Sequence, residues 1–171
     1  MTFKSEKLMK KIILIALFLY SLQNFAQKTF EVYNFSGQTI KLADIITKPT
    51  ASTYPEYHSK PALITIPPGG SFTLENTSNV YRFPFYVTGN PIATWQRLNS
   101  PSSTTFVPST AAWTLGISQV FSNLKFFDGL NILREVGVSN PAPATFSSGI
   151  TAEYSQDNPA PNVWYYTIVI Y

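Results

Sequence analysis

Closely spaced turn residues are the feature that most limits how this chain can fold. Its 171 residues include 13 prolines, which interrupt helices and central strands. The segments between turns are rich in aromatic residues, with 10 tyrosines and 13 phenylalanines, and aromatic residues favour strands. We therefore predict an all-β fold, an antiparallel β-sandwich (jelly-roll or immunoglobulin-like) of about 9–10 strands, with a small β-barrel as the alternative.

The first 26 residues are arranged like a secretory signal peptide. Lysines at positions 4, 7, 10 and 11 precede an apolar run over residues 12–20, and a polar tail ends at Ala26. The run is shorter than the roughly 20 apolar residues of a membrane helix. We expect cleavage after Ala26 and a single exported domain over residues 27–171, extracellular or periplasmic. An uncleaved signal anchor is the alternative.

Removing this leader changes the charge of the protein. The chain has 12 Lys and Arg residues against 9 Asp and Glu residues; losing four lysines and one glutamate leaves eight of each, scattered along the sequence. Nucleic-acid binding depends on clustered cations, so no nucleic-acid partner is expected. The chain contains no cysteine, so its core must be stable without disulfides and thiolate metal sites are excluded.

Alternating apolar residues and turn residues predict where the strands lie. Residues 29–35 and 38–46 flank an Asn-Phe-Ser-Gly turn and are expected to pair as a hairpin. Residues 62–66 and 71–75 flank a Pro-Pro-Gly-Gly turn, in which proline and glycine supply the required dihedral angles. Further strands are expected over residues 80–87, 92–98, 105–107, 149–155 and 162–171, with 105–107 at a sheet edge.

Two segments have a less obvious structure. Apolar residues at 117, 120, 121 and 124 have helical spacing, but Asp128-Gly129 between apolar flanks favours a hairpin with a type I′ turn. We expect strand, turn and strand over residues 120–136, with a helical turn over residues 117–121 as the alternative. Identical Asn-Pro-Ala-Pro tetrapeptides at residues 140–143 and 158–161 are expected to form matching crossovers or rim loops.

The sequence contains no recognisable catalytic constellation. His58 is the only histidine, it lies in an expected loop over residues 48–61, and no Gly-x-Ser-x-Gly motif is present. The acidic residues are separated from one another along the chain. We expect a protein without enzymatic activity, cofactor or metal; a glycosidase-like enzyme whose acids meet in space is an alternative.

Aromatic residues in or beside loops are the candidate ligand-binding residues. Tyr54 and Tyr57 lie in the expected loop and Trp113 lies beside another, and large amphipathic rings stack on the apolar faces of sugars. Trp95 and Trp164 fall within expected strands and are predicted to be core residues. We therefore predict a binding or interaction module for a carbohydrate or protein ligand.

The C-terminus supports a second interpretation. Residues 164–171 form an apolar run that ends on Tyr171, which resembles the terminal strand of outer-membrane proteins. Few charges and short strands also permit edge-to-edge pairing. Outer-membrane association, or a self-assembling or pore-forming β protein, is therefore the alternative function.

Intact-mass spectrometry of protein recovered from the exported fraction tests the leader. We expect an N-terminus at Gln27, because the peptidase pattern ends at Ala26. Recovery of the chain with Met1 still attached contradicts cleavage.

Overall fold

Two packed sheets form the part of the chain that the computed structural model describes, residues 27–59, 64–77, 82–85, 89, 91–141 and 143–171. The expected signal peptide lies outside these residues. The five-stranded sheet contains, in spatial order, β10 (Ala144–Thr145), β11 (Thr151–Asp157), β12 (Val163–Ile170), β1 (Gln27–Asn34) and β5 (Ser71–Asn76).

The second sheet has seven strands and one short helix beside it. Its spatial order is β7 (Ser103–Pro108), β6 (Thr94–Ser100), β3 (Glu56–His58), β2 (Ile40–Pro49), β8 (Gln119–Phe127) and β9 (Leu133–Gly137), and β4 (Ile64–Ile66) also pairs with β2. Helix α1 (Ser109–Leu115) follows β7. The predicted all-β sandwich is confirmed, and the alternative of a barrel is wrong because the sheets do not close.

Alternation along the strands creates one aromatic core between the sheets. On β1, Phe30 and Val32 are fully buried while Glu31 and Tyr33 face outward. The Phe30 ring lies 5.2 Å from the Phe121 ring of the opposite sheet. Tilted and edge-on ring pairs at this spacing add about 0.5–1.5 kcal/mol each beyond the burial of their area. Aromatic packing therefore contributes to the stability of a core that contains no disulfide.

Strand β1 pairs in parallel with β12, the last strand of the chain. The register runs from Gln27 beside Val163 to Asn34 beside Ile170, and β5 pairs antiparallel on the other edge of β1. The first strand is therefore interior to its sheet. Because β1 and β12 are more than a hundred residues apart in the sequence, this sheet forms only when distant parts of the chain pair.

The predicted hairpin of residues 29–35 with 38–46 is wrong, because β1 and β2 lie in different sheets. The cause is Asn34, which is fully buried at the end of β1. Its Nδ2 donates to the backbone oxygens of Gln38, Ile66 and Pro67 at 2.8–3.0 Å. Its Oδ1 accepts from the amide and hydroxyl of Ser36. The turn residues that favoured a hairpin instead turn the chain from one sheet to the other.

The predicted Pro-Pro-Gly-Gly turn between strands is confirmed. The Gly70 amide donates to the Pro67 oxygen at 2.9 Å, and Gly69 has φ of +74°. Proline second and a left-handed glycine third define a type II turn. The turn joins β4 to β5 and so carries the chain between sheets a second time, beside Asn34.

The predicted hairpin over residues 120–136 is confirmed as β8 and β9, but its type I′ turn is wrong. The Asn131 amide donates to the Asp128 oxygen, and Asn131, not Gly129, has positive φ, at +61°. This is a three-residue loop with a type I turn and a bulge. Asp128 selects it, because its Oδ1 accepts from the amides of Leu130 and Ile132.

Several other expectations need correction. The segment over residues 48–61 is partly strand, since β2 extends to Pro49 and β3 contains His58. Residues 82–85, the described part of the expected strand 80–87, are not a strand. The two tetrapeptides do not match: the first links the sheets, whereas the second joins neighbouring β11 and β12. The described chain has twelve strands; β3 and β10 were not predicted because they are too short to show periodicity.

Asn34→Ala is expected to lower the free energy of unfolding by about 2–4 kcal/mol, because buried carbonyl groups lose their donor. Asn34→Asp keeps the shape but turns a carboxylate oxygen toward three carbonyl oxygens, so at pH 7 it is expected to cost at least as much. Urea denaturation measures both. The control is Asn99→Ala, an exposed position on β6, with an expected change within about 0.5 kcal/mol; an equally small effect at Asn34 contradicts its role.

Asp128 gives the hairpin a pH-dependent stability. Burial raises the pKa of Asp128, but hydrogen bonds from the Ile132 amide and Arg134 outweigh this and hold the pKa below its usual value. The stabilisation is thus present above the unfolded pKa of about 3.9 and is lost as pH falls through the lower folded pKa.

We expect Asp128→Asn to cost about 1–3 kcal/mol at pH 7, because it loses the charge-assisted hydrogen bond from Arg134. The difference from wild type should shrink in urea melts as the pH falls below the unfolded pKa of about 3.9. Asp157→Asn, at an exposed position, is the matched control. A difference that is constant between pH 7 and pH 2.5 contradicts the assignment.

Candidate functional site

The three residues predicted to bind ligand lie in different environments. Tyr57 is on β3, not in a loop, and is fully buried, with its ring centroid 5.0 Å from that of Phe85. Trp113 is on α1 and packs half-buried against the core. Tyr54 is half-buried and precedes Pro55. They do not form one exposed aromatic surface, because Tyr57 has no accessible face.

His58 brings together two acids that are distant in sequence. Its Nδ1 lies 2.8 Å from Asp44 Oδ2 and its Nε2 lies 3.3 Å from Glu56 Oε2. Asp44 is 1% exposed, and its Oδ1 accepts from the Ser59 amide. Because a carboxylate contacts each ring nitrogen, neither nitrogen is directed at a serine hydroxyl as a catalytic triad requires. The cluster joins β3 to β2.

The outward face of the five-stranded sheet has a different composition from the rest of the surface. It is formed by the residues that alternate with the buried ones on β1, β5, β11 and β12, and by Tyr171; we call it the tyrosine face. Its acidic residues are Glu31, Glu75, Glu153 and Asp157. The one cation in these strands, Lys28, is 1% exposed, and burial lowers its pKa.

Three tyrosines on this face pair with polar neighbours. The Tyr165 hydroxyl donates to Gln27 Oε1 at 3.0 Å, and Gln27 Nε2 donates to Glu75 Oε1 at 2.9 Å. A hydrogen bond with Glu31, followed by burial and the charge of Glu31, raises the pKa of Tyr33. The Tyr171 hydroxyl lies 3.5 Å from Glu153 Oε2. The rings are therefore held in place by strands and by side-chain contacts.

Two further features distinguish the tyrosine face. The Phe35 ring is 65% exposed and lies parallel to the Tyr33 ring, with centroids 6.0 Å apart. The Thr29 hydroxyl, on a residue only 3% exposed, has no hydrogen-bond partner among the described residues. Thr29 is level with Tyr165 and Glu75 in the sheet register. The face thus combines exposed rings and acceptors with a buried hydroxyl beneath them that lacks a partner among the described residues.

These tyrosines were not among the ligand-binding residues predicted from the sequence, although the alternation pattern indicates part of the tyrosine face. The alternation that predicts β1 already sets Tyr33 and Glu31 on one face. Tyr165 joins that face only through the parallel pairing of β1 with β12. Patterns within one strand do not reveal such a register.

The described residues contain neither a candidate metal-ligand cluster nor a candidate membrane-spanning helix. No group of three or more His, Cys, Asp or Glu side chains within the described ranges is arranged to hold a metal ion. No helix in that part of the chain is long and apolar enough to cross a membrane. In comparisons of the whole sequence, no model of a known protein family matches it, and no curated protein does.

Proposed function

We propose that this protein is an exported carbohydrate-binding module whose ligand lies across the tyrosine face. The observation that carries this proposal is the set of half-exposed tyrosines, Tyr33 and Tyr165, fixed on neighbouring parallel strands among carboxylates and hydroxyls. Tyrosine rings offer an apolar surface together with a polar edge, which matches the two kinds of surface on a sugar ring.

Rigidity supports a binding role for these rings. Tyr33 and Tyr165 extend from strands in the interior of the sheet, and the Tyr165 hydroxyl is already positioned by Gln27. A ligand that docks there orders few side chains, so little conformational entropy opposes binding. Rings on mobile loops would lose more entropy on binding.

Charge supports a neutral ligand. The face has four acidic residues and no outward lysine or arginine among its described strands. Carboxylates accept hydrogen bonds from sugar hydroxyls but repel uronic acids and sulfated sugars. We therefore propose uncharged polysaccharide as the ligand class. We propose this strand surface in preference to the loop aromatics predicted from the sequence, because Tyr57 is buried and presents no face to a polysaccharide.

Isothermal titration with soluble β-glucan, xylan and mannan tests the proposal. Tyr33→Ala or Tyr165→Ala is expected to weaken binding of the recognised polysaccharide about 30-fold, since a central aromatic contact contributes about 2 kcal/mol. Tyr165→Phe retains the ring and separates stacking from hydrogen bonding.

The control is Phe106→Ala on the opposite sheet, where the ring is 63% exposed and belongs to edge strand β7. It should bind like wild type. Absence of binding to all three polysaccharides, or equal losses in Phe106→Ala and Tyr165→Ala, contradicts the proposed site.

A further inference from the structure

A second group of polar atoms lies on the inward face of the seven-stranded sheet and does not belong to the tyrosine face. Tyr57 on β3 is directly opposite Arg97 on β6, and Trp95 is two residues away on the same inward face. Tyr57 and Trp95 are both fully buried, and Arg97 is half-buried. Phe85 packs against both aromatic residues, with ring centroids 5.0 Å from Tyr57 and 4.9 Å from Trp95.

This group consists of hydrogen-bond donors that lack acceptors. Trp95 Nε1 and Arg97 Nε are buried atoms with no acceptor among the described residues, and the buried Tyr57 hydroxyl, which interacts with Arg97, has no acceptor there for its own hydrogen. Folded proteins pair the great majority of buried polar atoms. Indole and guanidinium N–H groups can only donate. An acceptor is therefore the chemistry that completes this cluster.

The charge of Arg97 specifies which acceptor. Ion pairs of lysine and arginine within the described ranges join Lys48 to Glu56, Lys125 to Glu135 and Arg134 to Asp128, and none includes Arg97. Its guanidinium carbon lies 6.0 Å from the Tyr57 ring centroid. Burial raises the pKa of Tyr57, and the charge of Arg97 and hydrogen bonding to it offset part of the rise. No carboxylate in the cluster therefore neutralises the positive charge of Arg97.

We propose that Arg97, Tyr57 and Trp95 form a binding site for the carboxylate group of a small anion. A guanidinium matches a carboxylate in shape and can donate two parallel hydrogen bonds to it. The Tyr57 hydroxyl and Trp95 indole donate to the remaining lone pairs. The site is separate from the tyrosine face. It takes an anion, whereas the ligand proposed for that face is uncharged.

Helix α1 ends against the Phe85 ring, which is part of this group. Gly116 follows its last turn, and a Cβ at Gly116 would lie 2.4 Å from the Phe85 ring, so the end of the helix sits directly on that ring. The helix has seven residues and no side-chain cap. Helices this short are stable only through packing, so in this proposal the anion enters beside α1.

Nuclear magnetic resonance with sodium acetate as the probe tests this site. The three tryptophans give indole N–H signals, and Trp95→Phe assigns the signal of Trp95. We expect the Trp95 indole and Arg97 Nε–H signals to shift saturably with acetate at one common dissociation constant, whereas sodium chloride at equal ionic strength leaves them unshifted. Shifts that are absent, or that are equal for chloride, overturn the proposal.

Two conservative variants keep the test independent of folding. Tyr57→Phe removes only a hydroxyl and Arg97→Lys keeps the charge, and each is expected to weaken acetate binding at least fivefold with the spectrum otherwise preserved. The control is Arg82→Gln, which removes an exposed guanidinium that stacks on Trp164, 5.4 Å from its ring. Acetate binding that survives both conservative variants, or that is lost in Arg82→Gln, contradicts the assignment. Polysaccharide titration of Tyr57→Phe should match wild type, which separates this site from the proposed carbohydrate surface.

Discussion

One buried carboxamide determines how the two sheets are joined. Asn34 ends β1, and three carbonyl oxygens lie within 3.0 Å of its Nδ2, from the start of β2 and the end of β4. Its own backbone oxygen accepts from Gly69. An amide buried without partners costs several kcal/mol, so this side chain is stable only where all three segments converge. That convergence holds together the two segments that carry the chain from one sheet to the other, between β1 and β2 and between β4 and β5.

Local chemistry in the sequence predicts the elements well and their partners poorly. Alternation in β1 and the Pro-Pro-Gly-Gly turn are recognisable because dihedral preference acts within a few residues. The Asn-Phe-Ser-Gly segment has the same turn preference, yet the side chain of Asn34 bonds to residues 32 and 33 positions away. A pattern of neighbouring residues cannot indicate acceptors so far away in the sequence. The hairpin prediction failed for this reason, and so did the exact turn at Asp128, where a side-chain oxygen decided between two turn types.

Local patterns predict the candidate sites even less well, because these sites depend on which strands pair. Tyr57 was predicted in a loop because prolines surround it, whereas pairing with β2 and β6 buries it on β3. The same pairing sets it opposite Arg97 and converts an expected surface ring into part of an interior donor cluster. Tyr33 and Tyr165 were within predicted strands, but only the pairing of β1 with β12 sets them on one surface, four positions apart along the strands. Binding surfaces on sheets depend on that register.

Parallel pairing of β1 with β12 also fixes where the two ends of the domain emerge. Residue 27 is level with Val163, whereas Tyr171 follows Ile170, which is level with Asn34. The ends are therefore about 25 Å apart along the strand direction, at about 3.3 Å per residue. A permuted chain that joins them needs a linker of roughly eight extended residues.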